Sequence, residues 1–108
     1  MRFICACVLI MLSALTGAQT ARAEKDMCEV VGQIAEAIMQ RRQNGSSLQS
    51  SLELVRKVGP EGTAKVFEAL VIAAYERPMF STDDNKKSAV GEFRDDSQLA
   101  CIKGTRSK

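Results

Sequence analysis

The chain has 108 residues, with 15 Lys and Arg, 13 Asp and Glu, four Cys and no His, so its formal net charge is +2. This length allows one domain at most. A chain without His has no Ser-His-Asp triad, no imidazole general base and no zinc site that contains His. An apolar fraction of 45% with 26% charged residues is typical of a folded globular protein.

The first 23 residues have the pattern of a secretory signal peptide. One basic residue precedes an apolar stretch over residues 3–15, and Ala21 and Ala23 are the small side chains that signal peptidase reads. The apolar stretch is shorter than the ~18 to 20 residues that a membrane-spanning helix needs. We therefore predict cleavage after Ala23, which leaves Glu24 first, and export to the periplasm or the medium.

The mature chain, residues 24–108, is electrically balanced, because Arg2 and Arg22 leave with the signal and 13 basic and 13 acidic side chains remain. Two of the four cysteines also leave, and one disulfide between Cys28 and Cys101 is the simplest expectation in an exported protein. Closing a loop of this length stabilises a chain by about 4 kcal/mol in the chain-entropy model. A redox-active or metal-binding thiol pair is the alternative, but neither Cys lies in a C-x-x-C motif.

The first half of the mature chain has the apolar spacing of two helices. Apolar side chains recur every three or four residues over residues 27–43, and the Asn44-Gly45 pair that follows tolerates a left-handed helix end. The same spacing continues over residues 48–58, after a capping signal that begins at Ser46. We predict a helix over each range.

Two further helices are predicted in the second half. Residues 64–75 are apolar on most sides and end before Pro78, so we expect a central helix surrounded by its neighbours. A buried strand is the competing interpretation, but the alanines favour a helix and no partner strand is visible. Hydroxyl and acidic residues at 81–84 begin a fourth helix, whose stripe includes Phe93 and Cys101 and whose polar tail we expect to fray. The predicted fold is all-α: a compact bundle of about four short helices stapled by one disulfide.

Glu68 is the acidic residue that we expect nearest the core, because the helix around it is apolar, and a buried carboxyl can act as a general acid. The alternative is an exposed carboxylate, or an ion pair with Lys65 or with another basic residue such as Arg41 or Arg42. A glycosidase also needs a second placed carboxylate and a substrate cleft. A hydrolase that uses Glu68 is therefore the weakest functional hypothesis.

The start of the fourth helix offers two weaker patterns. Ser81 could form a Ser-Lys pair with Lys86 or Lys87, but a helix cap and a solvated face explain these residues better. Asp83, Asp84 and Asn85 lack the spacing of a calcium-binding loop. Basic residues occur as separate pairs in a neutral domain, which argues against nucleic-acid binding. We expect no metal, no cofactor and no nucleic-acid partner.

The segment around Pro78 is the first of two candidate binding surfaces. Tyr75, Arg77, Met79 and Phe80 surround this rigid turn, and aromatic, Met and Arg side chains are enriched at interfaces. The alternative is that Tyr75 and Phe80 fold back as a lid over the third and fourth helices.

The basic end of the first helix is the second candidate binding surface. Arg41 and Arg42 could meet a carboxylate or a phosphate. The alternative is that they only compensate the helix dipole.

Several short motifs support a resemblance that covers most of the mature chain. They are Cys28 and Cys101, the Ile-Met-Gln-Arg-Arg-Gln-x-Gly sequence of residues 38–45, the Ala74-Tyr75-x-x-Pro78 turn and the Glu92-Phe93 pair. In these motifs the chain resembles small exported proteins of proteobacteria and of their phages and prophages. The resemblance implies an exported helical domain in a bacterial or phage setting, and it implies no activity.

The main functional hypothesis is a non-enzymatic exported protein that binds an envelope or phage protein. A looser similarity in size, helical content and single disulfide is to the periplasmic acid-stress chaperones. The second hypothesis is therefore a chaperone that opens at low pH as its carboxylates protonate. We expect no transmembrane span in the mature chain, and the sequence leaves the oligomeric state open.

Overall fold

The computed structural model describes residues 27–59 and 61–106, which form four α-helices and no strand. The predicted signal peptide, residues 1–23, lies outside the described residues. Helix α1 comprises residues 27–43, α2 spans Leu48–Lys57, α3 spans Ala64–Glu76 and α4 spans Asp83–Arg106. The all-α class and the four predicted helices are confirmed. No helix of the described ranges is long and apolar enough to cross a bilayer.

The capping residue of α2 lies one position later than predicted. Ser47 has extended backbone angles, and its side-chain oxygen accepts a hydrogen bond from the backbone NH of Ser50 at 3.1 Å. The prediction of a cap at Ser46 is wrong, because the left-handed Gly45 (φ +86°) ends α1 and leaves Ser46 inside the turn. The Ser46 carbonyl instead accepts a hydrogen bond from the hydroxyl of Tyr75.

Helix α4 begins as predicted and continues further than predicted. The hydroxyl of Thr82 accepts a hydrogen bond from the backbone NH of Asn85 at 3.2 Å, which satisfies a free donor of the first turn. Residues 104–106 are helical, so the prediction of a frayed tail is wrong over this range. Lys103 and Arg106 in the last turn favour the longer helix, because they compensate its dipole.

The core lies where the four helices meet. Helix α1 and α3 each supply three of its buried apolar side chains, and α2 and α4 supply one each: Ala35, Ile38, Met39, Val55, Phe67, Val71, Ala74 and Phe93. The apolar stripe predicted for α4 is confirmed at Phe93, which is 2% exposed. Burial of these side chains supplies the main favourable free energy of folding.

The expectation that its neighbours surround α3 is wrong. Its buried residues are Phe67, Val71 and Ala74, whereas Val66 and Ile72 are 51% and 52% exposed. The hydrophobic core lies on one side of α3, so the described part of the chain leaves its outer face uncovered.

The predicted disulfide is confirmed as the Cys28–Cys101 pair, whose Cα atoms are 5.4 Å apart. It joins the beginning of the described part of α1 to the last turns of α4. Cys28 is 2% exposed and Cys101 is partly exposed, so the bridge is buried on its α1 side.

Two glycines with left-handed backbone form the connection between α2 and α3, Gly59 (φ +87°) and Gly62 (φ +92°). A Cβ atom at position 59 would lie 2.5 Å from Cε2 of the buried Phe67, whereas one at position 62 would meet nothing within 4 Å. We expect Gly59→Ala to lower the free energy of unfolding by about 2 kcal/mol and Gly62→Ala by about 1 kcal/mol. Urea denaturation measures both values. Equal losses of unfolding free energy in the two variants would show that the close approach to Phe67 does not increase the cost of Gly59→Ala.

Candidate functional site

The turn between α3 and α4, residues 77–82, contains most of the predicted binding residues. Pro78, Met79 and Phe80 lie at its surface, with Met79 48% and Phe80 37% exposed. We call these three residues the tip. The other candidates, Tyr75, Arg77, Arg41 and Arg42, lie behind the tip and make contacts within the chain.

The buried side chain of Gln43 holds the backbone of the tip. It is 2% exposed, its Nε2 donates a hydrogen bond to the carbonyl of Pro78 at 3.0 Å, and its Oε1 accepts one from the NH of Phe80 at 2.9 Å. The carbonyl of Gln43 itself accepts a hydrogen bond from Nζ of Lys86. Helix α1 therefore fixes the backbone on both sides of Met79.

Arg42 fixes the residue that precedes the tip. Its Nε and Nη2 both donate hydrogen bonds to the carbonyl of Arg77, each at 3.2 Å. Its guanidinium also lies 5.2 Å from the centroid of the Tyr75 ring, within the range of a cation–π contact. The structure thus places Arg42 in contacts that join α1 to the end of α3.

Arg41 and Tyr75 belong to a second network, centred on the buried Ser51. Arg41 donates to Ser51 Oγ at 3.0 Å, and the Tyr75 hydroxyl lies 2.9 Å from the same oxygen. Arg41 also donates to Ser50 Oγ, and Tyr75 donates to the Ser46 carbonyl at 2.7 Å. The alternative that Tyr75 forms a lid over α3 and α4 is wrong for this side chain, because its hydroxyl bonds to the turn between α1 and α2.

Arg77 holds the end of α3 against α4. Its guanidinium lies 4.7 Å from the centroid of the Phe93 ring, and its Nη2 lies 3.0 Å from Oδ2 of Asp96. The tip is therefore supported from both sides, by α1 through Gln43 and by α4 through Arg77.

Gln43 was not among the predicted site residues; in the sequence it is only the last residue of the first predicted helix. Gln43 follows Ala35 and Met39 at spacings of four, so it continues the buried stripe of α1. A polar side chain on a buried stripe needs hydrogen-bond partners, so its position on the stripe could have indicated that Gln43 holds another segment. Its partners could not be read from the pattern, since they lie 35 and 37 positions later in the chain.

The predicted catalytic candidate, Glu68, is one-third exposed and forms an ion pair with Arg56, at 2.8 Å between Oε1 and Nε. An ion pair with a basic residue was among the alternatives, and the partner is Arg56 of α2, which was not one of the residues named. Arg56 and Glu68 face each other because α2 and α3 pack side by side, which their separation of 12 positions does not reveal.

The residues at the start of α4 lie at the surface. Ser81, Asp83 and Asp84 are exposed, and Lys86 is bonded to the main chain of α1. Within the described ranges, no three His, Cys, Asp or Glu side chains are grouped as metal ligands would be. A hydrogen bond to Asp95 raises the pKa of Arg94 above its ordinary value, so Arg94 keeps its charge.

Two open clefts flank α4. The first, of about 550 Å³, lies between α1 and α4 and is lined by charged side chains, among them Glu36, Lys87 and Arg94. The second, of about 540 Å³, lies between α3 and α4 beside the disulfide and is mostly apolar, with Leu70 and Phe93 in its lining. Neither cleft was predicted from the sequence.

Comparison with known proteins adds no family to these observations: no family model, no curated protein and no solved structure matches the chain. A functional proposal must therefore rest on the residues themselves. Their most distinctive arrangement is a pair of exposed apolar side chains on a fixed turn.

Proposed function

We propose that this protein is exported and acts by binding another protein of the bacterial envelope or of a phage, with the tip as its contact. One observation carries the proposal: Met79 and Phe80 are 48% and 37% exposed on a turn whose backbone the buried Gln43 fixes. Met and Phe are enriched in the buried centres of protein interfaces. A turn that is already ordered loses little conformational entropy on binding, which favours affinity.

The tip also suggests the kind of surface that receives it. Its three residues carry no charge, and two of them are large and apolar, so the complementary site is a shallow apolar pocket. The positive charge of Arg77 is offset by Asp96, at 3.0 Å, beside the tip. The partner therefore needs no acidic group to accept this turn.

Export is supported by two independent features. Residues 1–23 have the signal-peptide pattern, and the Cys28–Cys101 disulfide fits an oxidising compartment. The absence of His from the sequence and the ion pair of Glu68 with Arg56 favour a binding role over catalysis. The mass of the secreted protein tests export directly, because a chain that begins at Glu24 has a defined mass.

Substitutions in the tip test the binding site. The wild-type protein would first be used as bait to isolate a partner from envelope extracts, and the purified partner would then be titrated with Met79→Ser and Phe80→Ser. We expect each variant to weaken the dissociation constant by about 30-fold, as loss of a buried apolar anchor does.

The matched controls are Leu48→Ser and Leu54→Ser on α2, which remove leucines that are 45% and 40% exposed. These variants should bind like the wild type. Equal weakening by tip and control variants would contradict the proposal, and so would unchanged binding by both tip variants.

A second candidate function, an acid-stress chaperone, is favoured by the ion pairs between helices. Each pair needs a carboxylate, and together they join α2 to α3, α3 to α4 and α4 to α1: Arg56 with Glu68 at 2.8 Å, Arg77 with Asp96 at 3.0 Å and Arg94 with Glu36 at 3.8 Å. Exposed pairs contribute only about 0–1 kcal/mol each. Opening therefore depends also on repulsion among basic side chains once the carboxylates are protonated.

The chaperone proposal predicts that the helices separate near pH 2.5 and that the opened chain prevents aggregation of an unfolded client. Circular dichroism monitors the change in the protein's own structure, and light scattering monitors aggregation of the client. A native-like spectrum together with no client protection at this pH would exclude the chaperone. Binding of a partner at neutral pH through the tip would still stand, so the two proposals are distinguishable.

A further inference from the structure

The outer face of α3 is apolar in the middle and charged at both ends. Ala69 and Ile72 are exposed, with Ile72 52% exposed, and Lys65 and Glu76 lie exposed on the same face. At 100° per residue these four positions fall within a sector of about 60° around the helix axis. From the N-terminal end of α3, the side chains of this face are therefore basic, small and apolar, large and apolar, and acidic.

This order is complementary to itself when reversed. If a second α3 lies antiparallel to the first, Lys65 meets Glu76 of the second copy and Ala69 meets Ile72 of the second copy. The arrangement has two-fold symmetry, so each of these contacts is made twice. Opposite charges meet at both ends, and the large side chain meets the small one in the middle.

We infer that the outer face of α3 binds a second copy of this chain, with the two α3 helices antiparallel across a two-fold axis. The charge complementarity selects the second copy as occupant. Val66, 51% exposed, and Ala73, partly buried, flank the face and extend the apolar area. Nearby carboxylates of α3 and α4 do not oppose the pairing, since Glu68 is paired with Arg56 and Asp96 with Arg77.

The dimer also accounts for the sequence of α3. This helix is apolar on most sides, yet the bundle buries only Phe67, Val71 and Ala74. Association would remove Ile72 and Val66 from water, and the hydrophobic effect favours that transfer.

Charge reversal tests the proposed register. The full chain is expressed, the exported product is purified, and sedimentation equilibrium at about 50 mM salt, where screening is weak, gives the dimer dissociation constant. Lys65→Glu and Glu76→Lys each create two like-charge contacts, and we expect each to weaken the dimer by about tenfold. The double variant restores opposite charges at both contacts, so it should recover the wild-type constant.

This rescue cannot arise within one chain, because positions 65 and 76 on one helix are about 16 Å apart. Ile72→Glu should leave the protein monomeric, whereas Leu54→Glu, at an exposed leucine of α2, should leave the dimer intact. Circular dichroism checks that each variant is folded. If Ile72→Glu unfolds, the Lys65→Glu and Glu76→Lys variants and their double variant alone test the inference.

Three results would overturn the inference: a wild-type protein that stays monomeric at millimolar concentration, a dimer that neither charge reversal weakens, or a double variant that fails to recover. The dimer is independent of partner binding by the tip. Met79→Ser and Phe80→Ser should therefore dimerise like the wild type, and a failure of either proposal leaves the other intact.

Discussion

Loss of the Cys28–Cys101 disulfide should lower the free energy of unfolding by about 4 kcal/mol, the largest effect we expect from any single change. The bridge closes a loop of 73 positions, so its removal restores the conformational entropy that this loop closure takes from the unfolded chain. Small domains have total stabilities of about 5–15 kcal/mol, so this loss is a large fraction. Urea denaturation of the oxidised and reduced protein measures it.

The structure also predicts where the effect is concentrated. The buried residues of α4 are Ala89, Phe93 and Ser97, whereas Leu99 and Ile102 are 50% and 38% exposed. The last turns of α4 therefore depend on the disulfide for their attachment to the bundle. Amide exchange in the reduced protein should rise most over residues 98–106.

The control for the disulfide prediction is the Cys28→Ser/Cys101→Ser double variant, whose stability should not respond to a reductant. Equal unfolding free energies for the oxidised and reduced wild type would contradict the prediction. A uniform rise in exchange along α4 would contradict the proposed attachment of its end.

The second large effect is expected from Gln43→Ala, which removes both hydrogen bonds to the tip. The carbonyl of Pro78 and the NH of Phe80 lose their partner, and the sulfur of Met39 loses the weak hydrogen bond that it accepts from Nε2 of Gln43. We expect the free energy of unfolding to fall by about 3 kcal/mol, from two lost hydrogen bonds and a small cavity. Gln40→Ala, one turn earlier on the exposed side of α1, is the matched control and should change little.

Gln43→Ala should also weaken partner binding, although Gln43 is 2% exposed and does not reach the surface. A turn without this support must be ordered on binding, and we expect a dissociation constant about tenfold weaker. Titration of the folded variant against the purified partner measures the change. Binding equal to that of the wild type would show that the tip needs no support from α1.

Local patterns were sufficient to predict the helices and the disulfide. Apolar spacing predicted the ends of α2 and α3 to within one residue, because residues that favour turns lie before and after each apolar stripe. The predicted export, and the two cysteines that the predicted cleavage leaves, were sufficient to predict the Cys28–Cys101 pair. The cap at Ser47 was missed by one position, since two neighbouring serines both suit a cap and only the backbone of Gly45 decides between them.

The candidate site could be predicted only in part. The sequence identified the segment from Tyr75 to Phe80, but it did not separate the exposed tip from the residues that support it. Arg42 and Gln43 reach this turn across about 35 positions of chain, and local spacing carries no information on such contacts. The apolar character of α3 likewise indicated burial without showing which surface would cover it.

The most direct test of the binding role is a photoreactive crosslinker placed at position 80 in the living cell. The same group at position 54 on α2 is the control, because Leu54 is similarly exposed, at 40% against 37% for Phe80. We expect one crosslinked product of defined mass from position 80, containing a second protein, and no such product from position 54. The same products from both positions, or none from position 80 in a correctly exported protein, would contradict it.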